Sequence, residues 1–404
     1  MKNFKKIILL SVFALLPFLG SYAQQSLWGG GEIISPEIHP DNTVTFRIAA
    51  PNARMVEVTG DFLPKQSVET PYGKFDIDGS AKLTKGSNGI WEYTTPTPLS
   101  PELYMYSFTV DSLRMMDPSN VYMIRDVATV SNIFLIDSIG SRAHLYRIND
   151  VPHGNVSKVW YNSPGLDKNR RMTIYTPPGY ADSNDSYPVF YLLHGAGGDE
   201  EAWINLGRTA QILDNLIAEG KAKPMIVVMT NGNPSQEGAP GETSDGMIPP
   251  RMDISRMNRG EFETTFSDVV NYVDTHYRTK ADKTHRAIAG LSMGGFHSLH
   301  ISKLYPEMFD YIGLFSAAIF PFEGRDQAPV YQDIEGKLKI QFEKNPKLYY
   351  IAIGDKDFLY NDNVKFREIL DKNGYPYEYY ESPEGHIWKN WRIYLTEFVP
   401  RLFK

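Results

Sequence analysis

The chain has 404 residues, of which 42% are hydrophobic and 22% charged, and its formal net charge is −7 at pH 7. This length favours two domains, and the acidic balance argues against nucleic acid or an anionic membrane as a partner. The sequence contains no cysteine, which excludes a cysteine nucleophile, a thiolate metal site, disulfide bonds and a lipid anchor on an N-terminal cysteine.

The N-terminus has the features of an export signal. Three lysines within the first six residues precede an apolar run over residues 7–20, and small residues follow up to Ala23. The apolar run is short for a membrane span, and this pattern is typical of a secretory signal peptide. We therefore expect residues 1–23 to be cleaved near Ala23 and the mature chain to be exported, either to the periplasm or out of the cell.

Residues 24–140 contain short runs of alternating polar and apolar residues that are separated by turn residues. The clearest runs are Thr43–Ile48, Met55–Val58 and Tyr104–Val110. A period of two is the pattern of a half-buried β-strand, and almost nothing in this region has helical spacing. The sequence therefore predicts a β-sandwich over residues 24–140, followed by a linker over residues 141–154.

From residue 155 to residue 404, strand-like runs alternate with helical stretches. The predicted strands are 172–176, 187–193, 225–230, 285–290, 311–316, 348–354 and 377–381, and the clearest predicted helices are 205–219, 262–278 and 363–373. Such alternation is typical of an α/β sheet that carries helices on both faces. The second region is therefore predicted to be an α/β domain.

The residues Gly290–Leu291–Ser292–Met293–Gly294 read G-x-S-x-G and lie between a predicted strand and a predicted helix. This is the context of a nucleophile elbow, in which a strained turn exposes the serine hydroxyl. A side chain at Gly290 or Gly294 would clash with the neighbouring strand or helix. We therefore expect Ser292 to be a nucleophile rather than part of an ordinary glycine-rich turn.

A serine nucleophile needs a base, and three histidines follow Ser292. His297 and His300 fall in the helix directly after the elbow, where packing or a polar helix face is the expected role. His386 lies between the last predicted strand and an amphipathic C-terminal helix. In an α/β-hydrolase the base follows the nucleophile and the acid along the chain, so we assign His386 as the base.

The acid is expected at the end of the preceding strand, where Asp355 and Asp357 follow residues 348–354. Either carboxylate could accept a hydrogen bond from the imidazole and fix its tautomer. We favour Asp357, because it lies further into the loop and because Phe358 and Leu359 could anchor it against the core.

Two further segments are expected at the same edge of the sheet. The strand 187–193 runs into His194–Gly198, a glycine-rich loop of the kind that supplies an oxyanion donor. We assign the two donors as the backbone N–H groups of Ala196 and Met293; the alternative for the loop is a flexible connection. Residues 231–259 form a long irregular segment, which we expect to help form the substrate site.

Taken together, these motifs resemble the esterases of carbohydrate esterase family one, which include feruloyl and acetylxylan esterases. The resemblance covers residues 155–403 and is carried by four segments: HGAGG at 194–198, GLSMGG at 290–295, GDKDFL at 354–359 and GHIWKNWR at 385–392. It implies an α/β-hydrolase fold with Ser292, His386 and Asp357 as the catalytic triad. It implies no metal and no cofactor.

The N-terminal region resembles the early-set sandwich called carbohydrate-binding module family 48. The matching segments are Val44–Ala53, Gly60–Phe62, Gly89–Glu92 and Asp117–Pro118. Members that bind glucans use exposed tryptophans, whereas this region has Trp28 and Trp91, and Trp91 falls at a core position. We therefore favour a structural role for this domain, or a role as a wall of the catalytic cleft.

The family resemblance implies an exported serine esterase that releases ferulate from arabinoxylan fragments, with feruloylated or acetylated xylan oligosaccharides as partners. Three alternatives remain open from the sequence. They are deacetylation of xylan, an enterochelin-type siderophore esterase, and a non-catalytic glycan-binding protein that keeps the hydrolase fold. A feruloyl group needs an aromatic-sized acyl pocket and acetate a small one, and pocket size is not visible in a sequence.

Overall fold

The structure is a computed structural model that describes residues 33–70, 73–250, 259–321 and 328–404. The expected signal peptide, Trp28 and residues 251–258 of the long irregular segment lie outside the described residues. Within the described ranges, no helix is both long enough and apolar enough to cross a membrane.

The N-terminal region is built from short strands, as the alternating pattern predicts. Their bounds are β1 Glu37–Ile38, β2 Val44–Ala49, β3 Val56–Gly60, β4 Gln66–Thr70, β5 Gly73–Ile77, β6 Gly79–Lys82, β7 Thr84–Lys85, β8 Ile90–Thr94, β9 Glu102–Val110, β10 Leu113–Met115, β11 Met123–Asp126 and β12 Thr129–Ile136. One sheet has the order β1-β2-β8-β7 and the other β11-β12-β9-β3-β6, with β10 paired to β9 and with β4 and β5 as a separate hairpin.

The two larger sheets enclose an aromatic core. Phe46 on β2, Phe108 on β9 and Phe134 on β12 are buried, and the Phe46 and Phe134 rings lie 5.5 Å apart in an edge-to-face contact. Trp91 on β8 is also buried, and its Nε1 donates a hydrogen bond to the carbonyl of Ala50 at 2.9 Å. Trp91 therefore belongs to the core, and the prediction of a β-sandwich is confirmed.

The second region contains the remaining strands and the helices. The strands are β13 Asn155–Ser163, β14 Lys168–Thr176, β15 Val189–Leu193, β16 Ile226–Thr230, β17 Arg286–Leu291, β18 Tyr311–Phe315, β19 Leu348–Gly354 and β20 Glu378–Ser382. The α-helices are α1 Ala202–Asn205, α2 Thr209–Ala218, α3 Glu261–Thr264, α4 Phe266–His276, α5 Met293–Leu304, α6 Ile334–Glu343, α7 Tyr360–Lys372 and α8 Trp388–Phe398, and short 3₁₀ turns span Arg142–Tyr146, Pro164–Leu166, Lys283–His285 and Val399–Arg401.

These strands form one sheet in the order β13-β14-β16-β15-β17-β18-β19-β20. The pairs β13–β14 and β14–β16 are antiparallel, and the strands from β16 to β20 are parallel. Leu192 on β15 packs into the core on one face, while its neighbour Leu193 packs into the core on the other. Both faces are covered, which explains why the central strands read as continuous apolar runs. The predicted α/β-hydrolase fold is confirmed.

Some local predictions differ from the structure. The predicted helix 205–219 begins later, as α2 at Thr209, because the preceding Arg208 takes a left-handed conformation with φ 55° that separates α2 from the short helix α1. Strand β13 was not predicted, because it is an edge strand whose residues are mostly exposed and so lacks an apolar pattern. Edge strands carry a weaker hydrophobic signal than central ones.

Residues 141–154 pack against the second region. Tyr146 is fully buried, and the side-chain amide of Asn215 on α2 donates to the carbonyls of Leu145 and Arg147 at 3.0 Å each. Arg142 forms an ion pair of 2.9 Å with Glu397 on α8. We propose 24–140 and 155–404 as the two domains, joined by a segment that is fixed to the second.

Candidate active site

Ser292 occupies the sharp turn between strand β17 and helix α5. Its backbone has φ 53° and ψ −114°, a conformation that is strained for any residue other than glycine. A Cβ at Gly290 would overlap the carbonyl of Gly294, and a Cβ at Gly294 would overlap the carbonyl of Leu193 on the neighbouring strand. Only glycine fits at both positions, so the sequence forces the strand, turn and helix that place Ser292 at the carboxyl edge of the sheet.

Asp357 and His386 meet at the same edge. Asp357 follows β19 and is 4% exposed, and its two carboxylate oxygens lie 2.9 and 3.0 Å from Nδ1 of His386, which follows β20. The carboxylate holds the proton on Nδ1 and leaves Nε2 free to accept one. Asp355 is exposed and does not contact the imidazole. The structure thus pairs His386 with the aspartate that the sequence favoured.

The anchoring of Asp357 differs from the expectation. Phe358 does not pack into the core, since it is 67% exposed, and its ring instead lies 4.6 Å from the imidazole of His386. The backbone N–H of Leu359 donates to Oδ1 of Asp357 at 2.9 Å. A hydrogen bond from the loop backbone therefore fixes the carboxylate, while Phe358 covers the histidine ring.

The loop His194–Gly198 lies directly beside Ser292. A Cβ built on Gly195 would lie 3.3 Å from the Cβ of Ser292. Within the described residues, neither the N–H of Ala196 nor that of Met293 donates a hydrogen bond to another group. Two free backbone donors next to a serine hydroxyl are what an oxyanion hole requires, so both groups remain our candidates for that role.

His194 has a role that the sequence did not indicate. Its Nε2 accepts a hydrogen bond of 2.7 Å from the N–H of Gly232, so its Nδ1–H donates to the carbonyl of Gly195 at 2.7 Å. Burial lowers the pKa of His194 to about 4, which keeps it neutral at pH 7 and preserves both bonds. His194 therefore ties the Gly195 loop to the start of the 231–259 segment. His194 is part of the HGAGG motif, but its role could not be predicted because its partner Gly232 is distant in sequence.

The described part of the 231–259 segment begins on a fixed base. Arg170 on β14 donates to the carbonyls of Asn231 and Asn233 at 2.6 and 2.8 Å. The neighbouring Arg171, which is 3% exposed, forms ion pairs of 2.7 to 2.8 Å with three carboxylates, those of Glu200, Glu201 and Glu242. These contacts fix the start of the segment, which follows β16 in the sheet that carries Ser292, and we propose that the segment contributes to the substrate site.

Helix α5 is buried on every side, which decides the role of its histidines. His297 and Glu263 are both fully buried and lie 2.7 Å apart, Nδ1 to Oε1. His300 is also fully buried, and burial lowers its pKa. Of the two expected roles, packing rather than a polar face is correct for both histidines.

The same helix buries a lysine, which we expect to make stability depend on pH. Lys303 is 3% exposed, its Nζ has no hydrogen-bond partner among the described residues, and burial lowers its pKa to about 7. Between pH 7 and 9 the unfolded chain keeps this proton and the folded chain has lost it, so the free energy of unfolding should rise by at most about 1.4 kcal/mol per pH unit from this group.

The variant Lys303→Met should be more stable than the parent at pH 7 and should lose this part of the pH dependence. Urea unfolding of both proteins at pH 7, 8 and 9 measures the difference. Identical slopes against pH for the two proteins would contradict the prediction. Lys339, whose side chain is 71% exposed on α6, offers a control, because its replacement by methionine removes a lysine that is not buried.

The three proposed triad residues follow the ends of parallel strands β17, β19 and β20, which lie in one sheet. The structure forms the Asp357–His386 pair, whereas the Oγ of Ser292 makes no hydrogen bond with His386 or with any other described residue. Catalytic hydrogen bonds are often long in the absence of substrate. Within the described ranges, no cluster of histidine and acidic side chains is arranged to hold a metal ion.

Comparison with known proteins places the second region in a family. The profile of the family described as "Putative esterase" matches residues 163–402. An endo-1,4-β-xylanase/feruloyl esterase of Xylanibacter ruminicola is 32% identical over 376 residues, and an esterase of Mycobacterium tuberculosis is 27% identical over 324 residues. The alignments cover 91% and 69% of this chain but 46% and 66% of those proteins, so the chain spans only part of each.

Solved structures give the same fold. A ferulic acid esterase of carbohydrate esterase family one from the anaerobic fungus Anaeromyces mucronatus aligns with a TM-score of 0.51 at 26% identity, covering 64% of this chain and 94% of the other. The enterobactin esterase of Shigella flexneri aligns with a TM-score of 0.63 at 15% identity, covering 89% of this chain and 92% of the other. The second alignment extends the likeness in fold to most of the chain.

Proposed function

The chain belongs to this esterase family, and we propose that it hydrolyses carboxylic esters with Ser292 as nucleophile, His386 as base and Asp357 as the acid that orients the base. The observation that carries the proposal is the hydrogen bond between the buried Asp357 and the partly exposed His386, at the sheet edge where a strained turn presents Ser292. A nucleophile, a base and an orienting carboxylate that follow in this chain order are the requirements of an α/β-hydrolase.

The reaction proceeds in two steps. Nε2 of His386 takes the proton of the Ser292 hydroxyl as Oγ attacks the ester carbonyl, and the N–H groups of Ala196 and Met293 stabilise the oxyanion, each by roughly 3 to 4 kcal/mol. His386 then gives its proton to the departing alcohol and leaves an acyl-serine. Water, deprotonated by His386, attacks the acyl-serine, releases the acid and restores Ser292.

We propose hydroxycinnamoyl esters of arabinoxylan fragments as substrates, with ferulate as the acid released. Two similarities support this proposal. One is the sequence similarity to an endo-1,4-β-xylanase/feruloyl esterase, and the other is the structural similarity to a ferulic acid esterase. Phe358 lies exposed over His386, and an exposed ring beside the reacting atoms suits an aromatic acyl group. We also propose that the protein is exported, on the basis of the pattern in residues 1–23.

The proposal is tested by incubating the purified protein with arabinoxylan fragments that carry both ferulate and acetate and by quantifying both acids. We expect free ferulate from the parent protein and none above background from Ser292→Ala. Release of acetate without ferulate would show that the enzyme is specific for acetyl rather than feruloyl esters. Release of neither acid would reject the proposed substrates, and equal release by Ser292→Ala would reject the nucleophile.

A further inference from the structure

A cavity of about 200 Å³ lies between the sandwich and the second region. Asp61, Asp78 and Tyr104 of the sandwich line one side of it, and His386 and Trp388 line the other. The cavity therefore reaches the proposed catalytic base from the side of the N-terminal region. It is smaller than the roughly 300 to 1,000 Å³ of pockets for drug-sized ligands, so it suits one small ring.

Glu102 and Asp61, on the sandwich side of the cavity, each have a carboxylate oxygen that no described residue binds. Glu102 lines the cavity and is 5% exposed; its Oε1 accepts from Arg392 and from the N–H of Leu103, while no described residue binds its Oε2. Asp61 accepts the N–H of Met105 through Oδ1 at 2.9 Å, and no described residue binds its Oδ2. Carboxylate oxygens only accept hydrogen bonds, and hydroxyl groups donate them. The free oxygens therefore suit a ligand with several hydroxyls.

Aromatic rings complete the lining. Trp388 and Trp391 both line the cavity and contact each other edge to face at 5.0 Å, and Tyr104 lies across from them on β9. Such rings offer apolar surface that packs against the C–H groups of a ligand. Burial raises the pKa of Asp61 to about 7, so near neutrality this carboxyl is partly protonated and can also donate a hydrogen bond. A sugar ring matches this lining, because its hydroxyls can donate to the carboxylate oxygens while its C–H groups pack against the aromatic rings.

Resting on the proposed function, we infer that this cavity binds the alcohol half of the ester as a neutral sugar ring, so that the sandwich selects the leaving group. His386 delivers its proton to the departing alcohol oxygen, so the alcohol lies against His386, and the same histidine lines the cavity. The sandwich also contacts the other side of the site, because Arg125 on β11 pairs at 2.6 Å with Asp199, the residue after the His194–Gly198 loop. The lining carries an excess of acidic over basic side chains, which opposes an anionic catecholate by like-charge repulsion; the five acids are Asp61, Asp78, Glu102, Asp126 and Glu384, and the two bases are Lys65 and Lys389.

The inference is tested with two esters of the same acid, feruloyl arabinose and methyl ferulate, which differ only in the alcohol. In Asp61→Asn the ratio of kcat/KM for feruloyl arabinose to that for methyl ferulate is expected to fall about tenfold, as loss of a hydrogen bond to a charged group implies. Asp78 also lines the cavity; its Oδ1 accepts from Nζ of Lys65 and no described residue binds its Oδ2, so Asp78→Asn should lower the same ratio. Asp41→Asn, which changes an exposed carboxylate elsewhere on the sandwich, is the matched control and should leave the ratio unchanged.

The outcomes separate this inference from the proposed function. The parent protein could hydrolyse both esters while all three variants keep its kcat/KM ratio for feruloyl arabinose over methyl ferulate. That result would overturn the sugar site and leave the proposed esterase activity intact. A parent protein that hydrolyses neither ester would overturn both. A ratio that falls in both cavity variants and not in Asp41→Asn would support the sugar site.

Discussion

Replacement of Asp357 by asparagine is expected to lower kcat by about 10⁴-fold while KM changes little. The asparagine amide can present an N–H to Nδ1 of His386, which favours the tautomer whose proton sits on Nε2 and so removes the acceptor that Ser292 needs. The side-chain oxygen of asparagine can still accept the N–H of Leu359, which now binds Oδ1 at 2.9 Å, so the loop should keep its conformation. Steady-state hydrolysis of methyl ferulate measures the effect.

Asp355→Asn is the matched control, because Asp355 lies two residues away, is exposed and makes no contact with His386. We expect its kcat to stay within about twofold of the parent value, as for most surface substitutions. Circular dichroism of both variants checks that the fold is retained. An equal loss of activity in the two variants, or full activity in Asp357→Asn, would reject Asp357 as the orienting acid.

The central sheet could be predicted from the sequence because its strands are buried on both faces and therefore appear as continuous apolar runs. Glycines that are required for steric reasons mark the turn after strand β17. Gly290 and Gly294 admit no side chain, and that requirement is visible as a motif. The same reasoning located His386 and its neighbouring aspartates, since the carboxyl ends of parallel strands meet at one edge. The choice of Asp357 over Asp355 depended on their positions in the loop. In the structure the two differ in burial, since Asp357 is buried beside His386 and Asp355 is exposed.

Other features depend on contacts between residues that are far apart in sequence, and no local pattern reports them. The bond between His194 and Gly232 joins residues 38 positions apart. The burial of Lys303 follows from helix α5 being enclosed on all sides, whereas a surface helix would keep a lysine on its polar face. Phe358 was expected in the core because it is apolar, but large apolar side chains are often exposed. Its position over His386 gives it a candidate role in substrate binding instead.

The contact between the two regions was also invisible in the sequence, and it leads to the second large effect. Arg392 on α8 is 2% exposed and donates to Oε1 of Glu102 at 3.0 Å, and also to the carbonyls of Leu103 and Leu206 at 3.0 Å each. Arg392→Met removes all of these bonds and leaves a buried carboxylate without its cation. Breaking a buried pair in this way costs about 3 to 5 kcal/mol, and we expect a loss of that size in urea unfolding.

A second ion pair of helix α8, with the joining segment rather than with the sandwich, provides the comparison. Arg142 and Glu397 lie 2.9 Å apart, but their side chains are 38% and 29% exposed, so Arg142→Met should cost less than about 1 kcal/mol. The double variant Glu102→Gln/Arg392→Met should recover part of the loss, because no unpaired charge is then buried. If Arg392→Met lowers the free energy of unfolding no more than Arg142→Met does, the Arg392–Glu102 pair is solvated. A large loss would mean that the sandwich and helix α8 stabilise each other, and α8 begins two residues after His386, so the same contact would then support the position of the catalytic base.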